Sequence, residues 1–501
     1  SEVPSQFSYL ETLLDEFSNA DGLDPNRRER LKDDIRVEAE ALGLQADLGI
    51  NDESSPAEAL SRIDRFVCDI KETQFGDGLH IFGRKSEHQL SFETLSSEIA
   101  EKDAIRKALS GKRVSAGPSG SPYRGRMDVL PSGRNLFATD PLSVPTRAAY
   151  TQGVKLAEEF IRRHLQDNGD WPSGVIVDLW GSATMRTAGE EFAMAMHLLG
   201  VKPTWAEGSE RVSGFEILPL ITLDRPRIDV TLRVSGLFRD VFPTLSNLYQ
   251  QAVEAVSKRE ESLDWNPYTS NTECARIYGP APGSYGLGMG SALDQFSDNG
   301  RKAAAEAWLE ASSYAINGER IYQDKKGLKD RVANADSFVH LQDMPETDLL
   351  LSADYAAHEA GFAAAKASIG GKVSLYHLDN TDPENPTSRT LTEEIARIVY
   401  ARACNPNWLA GMKRHGFRGA AEMSATLAHM AAFANLADVV GSHLFDSYHD
   451  ATLGNDDIVN FMSENNPAAL AAMRDCFEQL YKSGLWKTRR NFILGDLGIS
   501  A

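Results

Sequence analysis

The chain has 501 residues, 42% of them hydrophobic, which is enough for two to four domains with sizeable cores. Its formal net charge of −20 argues against nucleic acid as a partner, because phosphate neutralisation needs a clustered basic face. The apolar runs are too short for a membrane span, no signal-peptide pattern opens the chain, and four scattered cysteines without a CxxC pair favour a reducing cytoplasm.

Residues 1–114 predict a helical region followed by a connector. Apolar residues recur at helical spacing in 6–17 and again in 56–73, where Pro56 suits the first turn of a helix. The next stretch, 115–150, is rich in proline and glycine but too apolar for a disordered linker. We therefore predict a long ordered loop, a feature that is usually functional, and it contains Arg124, Arg126 and Arg134.

Strand-like and helix-like segments alternate through the rest of an α/β core predicted over 115–300. A helix ending at Asn168 and Gly169 is followed by an apolar strand over 174–180 and by another helix. This order and spacing predict a parallel α/β unit. Further extended segments are predicted at 201–205, 215–223 and 227–234.

A second α/β segment is predicted over 301–388, with a strand over 371–378, and a helical region over 389–501. The expected fold class is therefore α/β, with a mixed or parallel sheet, flanking helices and a mainly helical C-terminal region.

The stretch "LWGSATMRTAGEEFAMAM", 179–196, contains the end of the first strand and the start of a helix. Thr187 and Glu190 have capping-box spacing, which predicts the helix start. We predict that "GSATMR" is a loop at the carboxyl end of a parallel strand, where α/β sheets bind ligands and where a helix N-terminus favours anions. From the residues alone, a purely structural loop and a ligand-facing loop are equally open.

No nucleotide-binding motif is present. A GxxxxGK[ST] sequence is absent, and the glycine-rich run "GPAPGSYGLGMG" at 279–290 has no preceding apolar strand. No HExxH motif occurs, and the histidines close to a glycine, at His358 and His415, are typical of structural histidines in turns.

Three segments together resemble the large subunit of the aerobic-pathway cobaltochelatase (CobN type), a relative of the porphyrin-binding subunit of magnesium chelatase. They are "LWGSATMRTAGEEFAMAMHLLGVKPTW", "GFEILPLITLDRPRIDVTLRVSGLFRDVFP" and "ARIYGPAPGSYGLGM", and the flanking sequence from about residue 5 to 490 follows the family's order. The details "TMRT", "DVTLRVSGLFRD" and "GSYGLGM" favour the cobalt branch.

The resemblance implies a reaction in which substrate Co(II) is inserted into hydrogenobyrinic acid a,c-diamide, a corrinoid, while separate AAA+ type subunits hydrolyse ATP. It also implies site residues, because guanidinium groups suit the carboxylates of the ring and proton removal needs a base near neutrality. No metal ligand is assigned. The implied ring contacts are Arg124, Arg126, Arg134, Arg186, Glu190, Tyr285 and Met289, and the implied bases are His80, His377 and His415.

Two departures from the family pattern are visible. The family's His-Gly-x-x-Glu-Trp-Leu-Pro-Gly motif is absent, and the segment between "LHIFG" and "GPSGSP" is short. We therefore expect a carboxyl-terminal portion that binds a corrinoid weakly and inserts no cobalt by itself. The alternatives are a magnesium chelatase subunit, a chelatase for another metal, and a non-catalytic tetrapyrrole-binding scaffold.

Overall fold

The structure is a computed structural model. It describes residues 4–20, 25–51, 54–73, 75, 81–84, 93–119, 127–136, 140–270, 275–318, 320–490 and 493.

One eight-stranded sheet organises the fold, with the strand order β10-β9-β8-β1-β4-β5-β6-β7. The five strands from β9 to β5 run parallel, and β10, β6 and β7 add antiparallel edges. A separate antiparallel hairpin pairs β2 with β3. The bounds are β1 Gly174–Leu179, β2 Val201–Trp205, β3 Val212–Ile217, β4 Asp229–Val234, β5 Ile277–Gly279, β6 Tyr314–Asn317, β7 Arg320–Gln323, β8 Ser337–Gln342, β9 Ser374–Asp379 and β10 Thr387–Thr390.

Helices cover both faces of this sheet. Val175 and Val177 of β1 belong to one apolar core and Ile176 to the other, because successive side chains of a strand point to opposite faces. The α-helices are Ser8–Asn19, Pro25–Ala41, Leu44–Asp47, Pro56–Glu72, Glu93–Leu109, Arg147–Asn168, Gly181–Thr187, Glu190–Leu199, Leu220–Leu223, Gly236–Val241, Pro243–Ser257, Asp298–Ala311, Lys325–Asn334, Ala353–Tyr355, Gly361–Ile369, Leu391–Ile398, Pro406–Lys413, Phe417–Ala437, Ser442–Ala451, Asp456–Asn465 and Pro467–Lys482, and two π-helical turns lie at Ala356–Ala360 and Val399–Ala403.

The α/β class and the helical C-terminal region are confirmed, but four local predictions are wrong. The buried strand β5, Ile277–Gly279, does precede the glycine-rich run at 279–290. "GSATMR" is not a loop, since it forms most of the helix Gly181–Thr187. The extended segment predicted over 215–223 ends at Ile217, and Leu220–Leu223 is helical. The strand that follows the helix Glu190–Leu199, β2, does not pair with β1. It pairs with β3 in the hairpin, and the parallel neighbour of β1 on that side is β4.

The predicted regions 115–300 and 301–388 contribute strands to the same sheet, because β8 pairs directly with β1. The boundary at residue 300 therefore divides the chain but not the sheet. The N-terminal helices pack on the C-terminal helical region, where His443 Nε2 lies 2.7 Å from Asp47 Oδ2. Within the described ranges, no helix has the length and apolar character required to cross a membrane.

Candidate functional site

A row of polar side chains crosses four neighbouring strands of the sheet, in the carboxyl-terminal half of each strand. The register pairs Arg233 of β4 with Asp178 of β1, Asp178 with His340 of β8, and His340 with His377 of β9. These are buried polar positions in strands that are otherwise largely apolar. Because cross-strand partners lie on one face, the four side chains form a continuous line.

Two further groups join this row from the helical layer. His358 and Glu359 lie in the π-helical turn Ala356–Ala360, and both are buried. Single π-helical turns inside α-helices occur frequently at functional sites. We refer to Asp178, His340, His358, Glu359 and His377 as the histidine cluster.

Asp178 accepts from three sides. Its Oδ2 lies 2.7 Å from His358 Nδ1 and accepts from Trp180 Nε1 at 2.8 Å, while its Oδ1 accepts from Arg233 Nη1 at 3.1 Å. Burial opposes a charge on Asp178, but His358 and Arg233 outweigh it and hold the pKa of this carboxyl well below its usual value. Burial lowers the pKa of His358 below 6.5, so its imidazole is mainly neutral at pH 7.

Glu359 connects the two remaining imidazoles. Its Oε1 lies 3.2 Å from His377 Nδ1 and 3.9 Å from His340 Nδ1. The two rings are nearly parallel, with 7° between their planes and 6.1 Å between their centroids. Burial lowers the pKa of His377, but the charge of Glu359 outweighs burial, and the pKa is raised above 6.5.

His340 lies between the two carboxylates. Its Nδ1 is 3.4 Å from Asp178 Oδ2, and it has no hydrogen-bond partner among the residues that the structure describes. An aromatic pair borders this imidazole, with the half-buried Trp180 stacked on Tyr355 at 5.3 Å and meeting His340 edge-on at 4.7 Å. Each of the three imidazoles lies within 4 Å of a carboxylate, and such an arrangement is suited to accepting and passing on protons.

The described residues include no group of three or more His, Cys, Asp or Glu side chains arranged to hold a metal ion. In the histidine cluster, the Nδ1 atoms of His358 and His377 face carboxylates of the protein.

His377 is the one predicted base within the cluster. His415 is half-buried in the turn between the helices Pro406–Lys413 and Phe417–Ala437. Among the predicted ring contacts, Arg186 and Glu190 also lie at the carboxyl edge of the sheet. His80, Arg124 and Arg126 lie outside the described residues.

The guanidinium of Arg186 is bound to the protein's own Asp343, with Nε–Oδ2 at 2.7 Å and Nη2–Oδ1 at 2.9 Å. A ring carboxylate would therefore have to compete with Asp343 for the guanidinium of Arg186. Glu190 Oε2 accepts from Asn380 Nδ2 at 2.5 Å, and its backbone N–H donates to Thr187 Oγ1 at 3.3 Å. The first half of the predicted capping box is formed, although Gly189 is the N-cap residue of this helix.

Three other predicted ring contacts lie elsewhere. Met289 is buried in a core, where its Sδ and Cε pack against Gly361, so it faces protein and not an open cleft. Tyr285 is 64% exposed, and its hydroxyl donates to Asp240 Oδ2 at 2.6 Å. Arg134 is exposed in a loop that packs on the helix Glu93–Leu109.

Sequence reasoning missed Glu191, a buried carboxyl group beside the Arg186 pair. Its two oxygens meet Thr184 Oγ1 at 2.5 Å and Thr187 Oγ1 at 2.8 Å. Each hydroxyl has one hydrogen and also lies within reach of a backbone carbonyl, so a protonated carboxyl completes this network best. Burial raises the pKa of Glu191 to about 7.

We expect Glu191 to make stability depend on pH. The folded state binds its proton more tightly than the unfolded chain, so the free energy of unfolding falls as pH rises from 4.5 to about 7. The fall attributable to Glu191 is about 3 kcal/mol at most. In urea unfolding at several pH values, the free energy of unfolding of Glu191→Gln should rise relative to that of the wild type as pH increases from 4.5 to about 7. Glu464→Gln, on an exposed helix position, is the control, and equal pH profiles for Glu191→Gln and wild type would contradict the assignment.

The chain is similar to known proteins over most of its length. The sequence model of the CobN/Magnesium Chelatase family matches residues 1–99 and 89–493. The aerobic cobaltochelatase subunit CobN of Pseudomonas aeruginosa is 33% identical, over 95% of this chain and 49% of that protein. The chain belongs to the CobN/magnesium chelatase family.

Within the family, similarity is uneven. The magnesium-chelatase subunit ChlH of Oryza sativa subsp. japonica is 26% identical, over 77% of this chain and 29% of that protein. The catalytic subunit of cobaltochelatase from Mycobacterium tuberculosis superposes with a TM-score of 0.92 at 28% identity, over 99% of this chain and 51% of that one. The chain therefore spans about half the length of the CobN relatives that it matches.

Proposed function

We propose that this chain is the part of a cobaltochelatase large subunit that holds a corrinoid ring during insertion of Co(II). The metal is a substrate in this reaction, and ATP is hydrolysed by separate AAA+ type subunits. The observation that carries the proposal is the histidine cluster at the carboxyl edge of the sheet in a member of this family. Insertion of a divalent metal displaces two ring protons, and the cluster supplies neutral and carboxylate-paired imidazoles that accept them.

The cobalt branch is supported by the identity of 33% to CobN of P. aeruginosa, against 26% to the magnesium-chelatase subunit from rice. We place the reaction in the cytoplasm, in line with the free thiols of Cys68, Cys404 and Cys476. Arg186 and Glu190 remain proposed neighbours of the ring, through the edge that they share with the cluster.

The test is a binding titration of the 501-residue chain with metal-free hydrogenobyrinic acid a,c-diamide and, separately, with protoporphyrin, followed by absorbance. We expect the corrinoid to bind at least tenfold more tightly than the porphyrin, although weakly, and the chain alone to leave cobalt uninserted. A cobalt-dependent spectral change is expected only with ATP and all other subunits present. Tighter binding of protoporphyrin would favour the magnesium branch, and binding of neither ring would overturn the proposal.

A further inference from the structure

His358 differs from the other two imidazoles of the histidine cluster in its access to solvent. Its side chain is 10% exposed, against 4% for His340 and 1% for His377. Its Nε2 forms no hydrogen bond among the residues that the structure describes, and this atom keeps contact with solvent, whereas the partnerless Nδ1 of His340 is buried. Of the three imidazoles, His358 therefore offers the most accessible nitrogen to a ring.

The other nitrogen of this imidazole, Nδ1, is crowded by three polar groups. Asp178 Oδ2 lies 2.7 Å from it, Arg233 Nη1 lies 2.9 Å from it, and Trp180 Nε1 lies 3.1 Å from it. Guanidinium and indole N–H groups only donate hydrogen bonds, and an ionised carboxylate only accepts them. His358 Nδ1 therefore either carries a hydrogen and donates to Asp178, or lacks one and accepts from Arg233 or Trp180.

Asp178 decides between these two states. It is ionised, because its pKa lies well below the usual value. Both competing donors already have an acceptor on it, since Arg233 Nη1 lies 3.1 Å from Oδ1 and Trp180 Nε1 lies 2.8 Å from Oδ2. Without a hydrogen on Nδ1, the shortest of the three contacts would bring two lone pairs together at 2.7 Å. The hydrogen therefore lies on Nδ1, and in a neutral imidazole this leaves the lone pair on Nε2.

The imidazole of His358 is also fixed in position. Trp308 Nε1 donates to the backbone carbonyl of His358 at 3.2 Å, and the Trp180 ring meets the imidazole edge-on at 4.9 Å between centroids. A neutral imidazole that is oriented by a carboxylate at one nitrogen is suited to proton abstraction with the other, and the carboxylate stabilises the imidazolium that forms.

We propose that His358 Nε2 takes the proton from a ring N–H during metal insertion, and that Asp178 is the positioning residue that sets its tautomer. The ring N–H bond breaks, its electron pair stays on the ring nitrogen and binds Co(II), and the proton forms a bond with Nε2. The deeply buried His377 then receives protons only from within the cluster. This assignment rests on the proposed function, since it names the atom that performs the proton transfer.

The tautomer is tested by nitrogen NMR at pH 7 on the full chain labelled in its histidines, where the His358 signals are those lost in His358→Gln. In wild type we expect a protonated Nδ1 and an unprotonated Nε2. In Asp178→Asn the amide oxygen accepts from Arg233 and Trp180, and the amide N–H₂ donates to Nδ1, so the hydrogen should move to Nε2. Asp264→Asn, at an exposed position, should leave the tautomer unchanged. A hydrogen on Nε2 in wild type would overturn the inference, with or without a folded Asp178→Asn.

The proton transfer is tested in the assembled chelatase with His358→Gln, which keeps an N–H donor for Asp178 but has no basic lone pair. We expect the maximal rate of cobalt insertion to fall at least about a hundredfold, while the affinity of the chain for metal-free hydrogenobyrinic acid a,c-diamide stays within about threefold of wild type. His443→Gln is the matched control, because His443 pairs with Asp47 in the helical region, and it should insert cobalt at the wild-type rate.

Insertion by His358→Gln at the wild-type rate would overturn the inference and leave the proposed function standing. A loss of ring affinity with an unchanged maximal rate would also overturn it, since His358 would then be a ring contact. A site for Co(II) on the chain alone that His358→Gln abolishes would overturn it in favour of a metal ligand. Failure of the wild-type chain to bind the ring at all would overturn the proposed function, whereas the tautomer measured by NMR does not depend on ring binding.

Discussion

Replacing Asp178 by alanine should lower the free energy of unfolding by about 3–5 kcal/mol, the usual cost of removing one partner from a buried ion pair. The substitution leaves the guanidinium of Arg233, which is 2% exposed, without its carboxylate. It also removes the acceptor of Trp180 Nε1 and the partner of His358 Nδ1. Urea unfolding at pH 7, followed by tryptophan fluorescence, measures the loss.

Asp178→Asn separates charge from shape. The amide oxygen can still accept from Arg233 or Trp180, but the negative charge is gone, so we expect a smaller loss of about 1.5–3 kcal/mol. Asp264→Ala, at an exposed position, is the matched control and should stay within about 0.5 kcal/mol of wild type. If Asp178→Ala were as stable as this control, Asp178 would not be needed to stabilise the buried guanidinium of Arg233.

The sequence was a good guide where local chemistry decides structure. The helix Arg147–Asn168 ends at Gly169 with φ of 75°, as the Asn-Gly pair predicts, and Pro56 occupies the first turn of its helix behind Ser55. The strand predicted over 174–180 matches β1 because a short β-branched run has few alternatives.

It failed at "GSATMR", where contacts distant in sequence override small-residue propensity. Gly181 lies so close to Phe238 that a Cβ atom would stand 2.5 Å from the Phe238 nitrogen. The hydroxyls of Thr184 and Thr187 lie within hydrogen-bond distance of carbonyls four residues earlier, which gives these polar side chains partners inside the helix. The contact between Gly181 and Phe238 has no signature in an eighteen-residue window.

The histidine cluster was only partly predictable. His377 was a candidate, but its partners Asp178 and His340 come from strands whose adjacency depends on the sheet order. One signal was available, since β1, β4 and β8 each carry one charged or imidazole side chain late in the strand and β9 carries two. Buried polar groups in parallel strands need partners, and similar positions in several strands indicate that they partner one another.

Replacing Glu359 by glutamine should make the stability difference from wild type depend on pH. Glu359 raises the pKa of His377 above 6.5 in the folded state, so their interaction stabilises fully below pH 6.5 and is lost as pH rises through the raised pKa. We expect Glu359→Gln to be less stable than wild type by about 1.5–3 kcal/mol below pH 6.5, with the gap narrowing at higher pH. Unfolding free energies from pH 6 to pH 9 measure this.

Glu464→Gln again serves as the control and should differ from wild type by a small, constant amount. If the difference in unfolding free energy between Glu359→Gln and wild type stayed constant with pH, Glu359 would not be the group that raises the pKa of His377.

The same substitution has a kinetic consequence in the assembled chelatase, because a proton acceptor must be neutral before it can take a proton. By lowering the pKa of His377, it should move the acid limb of the pH–rate profile to lower pH while reducing the maximal rate. A structural role of Glu359 alone would reduce the rate without moving that limb.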